Sequence, residues 1–263
     1  MKLKIYQIDA FTNKVFKGNY AGVIILEEWL STELMQQIAT ENNLSETAFA
    51  FKNAQNIYEI RWFSPMTEID FCGHATLATA FVLFKENASF EKVIFTAKAV
   101  GDLSVEKLDS GYIQMTFPNR KPKVIDSIPK ELLSGLSITP NEVLHNQQAY
   151  FAVFSNEEDI YSIDVNLEEL KKLAPYDVVI TSKSKEYDFI SRYFWPANGG
   201  DEDPVTGSIH TGLAPYWADK LNKNELIAHQ ASKRGGLLKC KVLEEKVIIS
   251  GQAVLYLEGY ITI

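Results

Sequence analysis

The chain's 263 residues exceed the roughly 100–150 of a usual single domain, and 46% hydrophobic with 23% charged content is ordinary globular composition, so two domains are expected and disorder is excluded. A net charge of −8, with Lys and Arg scattered, removes the attraction that nucleic-acid binding requires. The first residues enter a strand pattern without an apolar signal region, and no apolar run is long enough for a bilayer, which points to a cytoplasmic protein without membrane partners.

In chain order, residues 2–9 and 23–26 read as strands, and Ser31 is placed to cap a helix carrying Leu34, Met35 and Ile38 on one face. Asn42-Asn43 ends that helix. Residues 47–51 and 57–63 are extended, the second alternating Tyr58, Ile60 and Trp62 against Glu59 and Arg61. Residues 75–84 are apolar or small on every face, the pattern of a buried helix. Strands at 92–97, 102–107 and 112–117 follow, then a polar linker at 118–122.

The second half repeats the plan. Strands are expected at 149–154, 178–181 and 189–194, with a helix at 167–173. A second apolar helix covers 209–218, weakened or kinked by Gly212 and Pro215. Strands close the chain. Superposing the two apolar helices at an offset of 134 residues pairs Cys72 with Thr206, Gly73 with Gly207 and His74 with Ser208, which suggests an internal repeat. We place the lobes at residues 1–118 and 119–263, with the last strand able to pack back on the first.

Cys72 and Cys240 are far apart, with no C-x-x-C, and the four histidines are too dispersed for a ligand pair, so no metal site is legible. G-x-G-x-x-G and the P-loop pattern are absent, and nothing requires a nucleotide cofactor. A buried helix that starts at a small and a polar residue offers unpaired backbone N–H groups to an anion, and two of them facing a cleft would grip a carboxylate. Glu46, between helix and strand, is the candidate acid/base group. Each candidate also has a structural reading: Glu46 finishing a turn, His74 as a core histidine, Asp203 starting a turn before Pro204, Ser208 capping a helix, Cys72 as a small buried hydrophobe.

At these residues the chain resembles the PhzF-like, phenazine-biosynthesis-related family. The resemblance rests on Ile8-Asp9-Ala10-Phe11-Thr12 with Phe16-Lys17-Gly18-Asn19, on Asn43 to Phe49, on Arg61-Trp62-Phe63 through Cys72-Gly73-His74-Ala75-Thr76, and on Glu202 to Ser208. A fainter block is Gln230-Ala231-Ser232-Lys233-Arg234-Gly235-Gly236. It implies an α+β fold of the diaminopimelate epimerase type: two similar lobes, each a curved, mostly antiparallel sheet around a buried central helix. It implies Glu46, His74 and Asp203 as catalytic residues, and Ser208, Gly73, Gly207 and Asn19 as substrate-binding ones, with no metal and no cofactor. Tyr20 departs from the family's usual proline. A homodimer is compatible with the resemblance.

The expected reaction is a proton-shuttling isomerisation of a small carboxylated amino- or hydroxy-substituted substrate, a cyclic one included. Racemisation by two thiols is the first rival, and it meets Thr206 where the second cysteine is needed. A non-catalytic small-molecule-binding protein of the same fold is the second.

Overall fold

The computed structural model describes residues 1–55 and 57–263. Two units share the chain: Met1–Thr116 with Ser250–Ile263, and Phe117–Ile249. No helix among the described residues is long and apolar enough to cross a membrane.

In the first unit β1 (Lys2–Ala10) pairs antiparallel with β2 (Asn19–Leu26). α1 (Thr32–Asn42) begins where the Ser31 hydroxyl accepts the Leu34 N–H at 3.2 Å, and ends at Asn43, whose left-handed conformation (φ 48°) turns its N–H onto the Ala39 carbonyl. β3 (Glu46–Lys52) runs parallel to β2, and β4 (Tyr58–Phe63) and the short β5 (Glu68–Ile69) continue antiparallel. After α2 (Gly73–Glu86), β6 (Lys92–Ala97) lies parallel to β4, and β7 (Gly101–Lys107) and β8 (Ile113–Pro118) extend the sheet antiparallel.

Side chains alternate across this sheet, so its two faces bury different partners. Ile5, Ile24, Leu26, Phe49 and Phe63 pack on Met35, Ile38 and Ala39 of α1. The opposite face carries Tyr6, Ile8, Ala21, Val23, Ala48 and Ala50, all buried, and α2 packs on β1, β2 and β3. α2 is buried around nearly its whole circumference, as its uniformly apolar sequence requires.

The second unit holds β9 (Lys123–Val124), α3 (Lys130–Ser134), β10 (Glu142–His145), β11 (Ala149–Phe154), α4 (Glu157–Ser162) and α5 (Leu167–Leu170). β12 (Asp177–Lys183), β13 (Phe189–Phe194), β14 (Glu202–Asp203), α6 (His210–Leu221), β15 (Glu225–Gln230), β16 (Gly236–Val242) and β17 (Lys246–Gly251) follow. β18 (Ala253–Thr262) returns to the first unit and pairs along the whole of β1. The pairing order of the first unit recurs: β11 is parallel to β12, β13 and β14 are antiparallel additions, and after the helix β15 is parallel to β13.

Pro215 does not break α6. The carbonyl of Thr211, which the missing Pro215 N–H leaves open, accepts the Arg120 N–H at 3.1 Å. Gly212 is small because the Phe151 ring and Asn146 side chain lie against it. Residues 118–122, expected as a polar linker, follow directly on the point where the first unit gives way to the second. Asn119 N–H bonds to the Glu245 carbonyl at 3.0 Å and Arg120 bonds to α6, so this polar stretch is tied into the second unit.

Candidate active site

The strand period places the first unit's polar groups. Glu46 shares its face of β3 with Ala48 and Ala50, and Asn19 shares its face of β2 with Ala21 and Val23, which is the face that α2 covers. Ala21 is the register partner of Glu46, so both polar residues stand at the sheet end where α2 begins. His74 is the second residue of α2 and Cys72 its N-cap. Glu46 is 6% exposed and His74 5% exposed, a degree of burial unusual for a carboxylate without a partner.

The partner is His74. Its Nε2 lies 2.8 Å from Glu46 Oε2, although off the line of a well-aligned hydrogen bond, so the contact is one of charge and proximity. Asn19 Nδ2 lies 3.1 Å from Nδ1 of the same ring, and Cys72 Sγ lies 3.4 Å from that atom. Turning the Asn19 amide about would let its oxygen accept from a protonated Nδ1. Burial is the largest influence on the His74 ring and opposes its charge, but the electrostatic and hydrogen-bond interactions with Cys72 and then Glu46 outweigh it and raise its pKa well above the ordinary value. Burial, then the Glu46 charge, pushes the Cys72 thiol up to about 11. Near pH 7 the thiol is therefore neutral. One ligand atom from each of Glu46, Cys72 and His74 lies within 4.8 Å of the others, a spacing at which a cation could be held.

The loop before Asn19 explains the first sequence block. The buried Asp9 carboxylate accepts the Phe16 N–H at 2.8 Å, folding residues 11–18 back so that the chain re-enters the sheet at Asn19. Gly18 takes a φ of 64° directly under the Ala10 carbonyl. Tyr20, the departure from the family pattern, is an ordinary strand residue paired with Asp9.

In the second unit Asp203 ends β14, and its carboxylate accepts the Thr206 hydroxyl proton. Gln230 braces both: its Nε2 donates to the Asp203 carbonyl at 2.8 Å and its Oε1 accepts the Thr206 N–H at 2.8 Å. Gly207 and Ser208 lie in tight turns that lead into α6, their carbonyls accepting the His210 and Thr211 N–H groups. Thus α6 begins at His210, three residues beyond the Gly207 position expected from the α2 start.

Ser208 Oγ accepts from Gln148 Nε2 at 2.9 Å, and the same nitrogen lies 3.0 Å from the Tyr193 hydroxyl, which donates to Asp177. Burial raises the pKa of Asp177, and burial, then the Asp177 charge, raises that of Tyr193 well above the ordinary value. Gln148, Tyr193 and Asp177 carried no sequence signal as functional groups. Gln230 did stand in a recognised block, but without a role.

The structure therefore gathers Asn19, Glu46, Gly73 and His74 in the first unit, and Asp203, Gly207 and Ser208 in the second. Residues 8–259 match the family described as phenazine biosynthesis-like protein. The chain belongs to that family. An uncharacterized isomerase of Halalkalibacterium halodurans is 45% identical over 262 residues, covering 98% of each chain. A PhzF-family phenazine biosynthesis protein from Enterococcus faecalis superposes with a TM-score of 0.95 at 43% identity, covering 100% of both chains. A hydroxyproline epimerase from Agrobacterium vitis reaches a TM-score of 0.60 at 10% identity, covering 99% and 92%, and shares the fold alone. Within the phenazine biosynthesis-like family this member has the α+β architecture of the epimerase-like fold.

Proposed function

We propose that the protein is an isomerase that moves a proton on a small carboxylated amino or hydroxy acid, with Glu46 as the acid/base group and no cofactor. The observation that carries this reading is a buried carboxylate 2.8 Å from a histidine of raised pKa, in a chain whose relatives include proteins named as isomerases. Glu46 takes the proton from one carbon and returns it to another. His74 supplies positive charge where negative charge develops on the substrate, and Asn19 fixes its ring. The backbone N–H groups at Gly73 in the first unit, and those at Gly207 in the second, are each assigned to binding an anionic group. Asp203 and Ser208, braced by Gln230 and Gln148, are assigned to orienting a substrate's amine, hydroxyl or carboxylate.

The test is deuterium incorporation from D2O into candidate dihydro-aromatic amino acids, followed by NMR. Glu46→Gln is expected to slow exchange by about 10²–10⁴-fold, the usual worth of a general acid/base group. Equal exchange in both proteins would remove Glu46 from this role. Two-thiol racemisation is the second reading. It would need a base at Thr206, whose hydroxyl instead donates to Asp203. Racemisation of a simple amino acid that Cys72→Ala abolishes would favour it.

A further inference from the structure

We propose that Glu46, Cys72 and His74 form a binding site for a thiophilic divalent cation of the zinc class. The sequence conceals it, because the carboxylate stands 26 residues before a C-x-H pair that no familiar ligand spacing includes. Folding brings one ligand atom from each to within 4.8 Å of the others. Nε2 of His74 is 2.8 Å from Glu46 Oε2 and 3.8 Å from Cys72 Sγ. A tetrahedral ion with bonds of about 2.0–2.3 Å holds neighbouring ligand atoms roughly 3.3–3.7 Å apart, so small side-chain adjustments suffice.

Two further observations point the same way. Glu46 Oε2 is buried beside His74 Nε2 and lacks an aligned hydrogen bond, so its capacity to accept is not used up within the protein. Asn19 stands against Nδ1, the ring nitrogen that such a site leaves uncoordinated, and a partner there is what orients a metal-binding histidine. A thiol, an imidazole and one carboxylate suit zinc or cobalt and are too few and too soft for calcium or magnesium. Coordination places the sulfur as thiolate and His74 as neutral imidazole, the thiol proton and the ring proton both leaving to solvent, and leaves the fourth tetrahedral position to water.

Binding does not depend on the proton-transfer reading. Inhibition does, because a cation on Glu46 removes the acid/base group. Chelator-treated full-length protein titrated with Co²⁺ is expected to show one equivalent bound, with the visible bands of tetrahedral cobalt and a thiolate charge-transfer band, both displaced by Zn²⁺. Cys72→Ser is expected to abolish the charge-transfer band, and Cys72→Ser and Glu46→Gln each to weaken binding at least tenfold, with unchanged circular dichroism. Absence of the bands in wild type, or wild-type affinity in both variants, would overturn the site. If cobalt binds as described but the D2O exchange is unaffected by Zn²⁺, the site stands and the role of Glu46 in exchange falls.

Discussion

His210 shows how a buried histidine can be structural two residues from a motif serine. Its Nδ1 lies 2.8 Å from the Thr206 carbonyl, so that nitrogen carries the proton, and the ring is fully buried. Burial, against the carbonyl bond, lowers its pKa to about 4. Below its ordinary value of 6.5 the unfolded chain takes up a proton that the folded ring refuses. Stability is thus full above about pH 6.5 and falls as pH drops towards 4, by about 3 kcal/mol from this group. His210→Asn keeps a donor near the Nδ1 position and removes the titration. Urea unfolding of both proteins from pH 7 to 4 should show a smaller loss in the variant, and parallel curves would refute the assignment.

At the scale of elements, much of the fold was legible because local chemistry and burial agree. Ser31 and Asn43 bound α1 as their residue types predict, and the all-apolar run became the buried α2. The two-residue strands β5 and β14 were not legible, since acidic stretches such as Glu68-Ile69 pair only because β4 and β13 are already in place. Gln148 was invisible for a related reason: its partner Ser208 is 60 residues away. In sequence the loop from β1 to β2 shows only as a motif, and its physics is a left-handed glycine under a backbone carbonyl. An alanine at Gly18 meets the Ala10 carbonyl and the Thr12 methyl as well as an unfavourable φ. Gly101 has a similar φ of 71° with open space around it. Gly101→Ala should therefore cost only about 1 kcal/mol, the left-handed penalty, and Gly18→Ala clearly more. Thermal melts of the two variants make the comparison, and equal losses would mean the collision is relieved without cost.

At the scale of the whole chain, the internal repeat suggested by one helix alignment is carried by chemistry as well as topology. Arg61 makes a two-pronged bond to Glu68 across β4 and β5, at 2.7 Å for both prongs, and Arg192 does the same to Glu202 across β13 and β14, at 2.7 and 3.0 Å. Each guanidinium also lies over the phenylalanine two residues on, Phe63 or Phe194. Each fork pins the short strand that precedes a motif helix, so the duplicated ion pair helps explain why both acidic stretches sit where they do.

Chain order and fold part company at the C-terminus. β1 lies between β2 and β18, with register partners running from Lys2–Thr262 to Ala10–Ala253. Removing residues 253–263 would strip β1 of one whole edge, and at about 0.5–1.5 kcal/mol per net hydrogen bond the loss is on the order of a domain's entire stability. The core of Leu132, Phe154, Ile180 and Phe194 belongs to the second unit and contains none of the deleted residues. Hydrogen exchange of the truncated chain should therefore show protection lost in β1, β2 and β3 while β11, β12 and β13 keep theirs. Uniform loss across both units would mean that they unfold as one, and unchanged protection in β1 would mean that the pairing with β18 contributes little. The first outcome alone fits a molecule whose last strand completes the unit that carries Glu46.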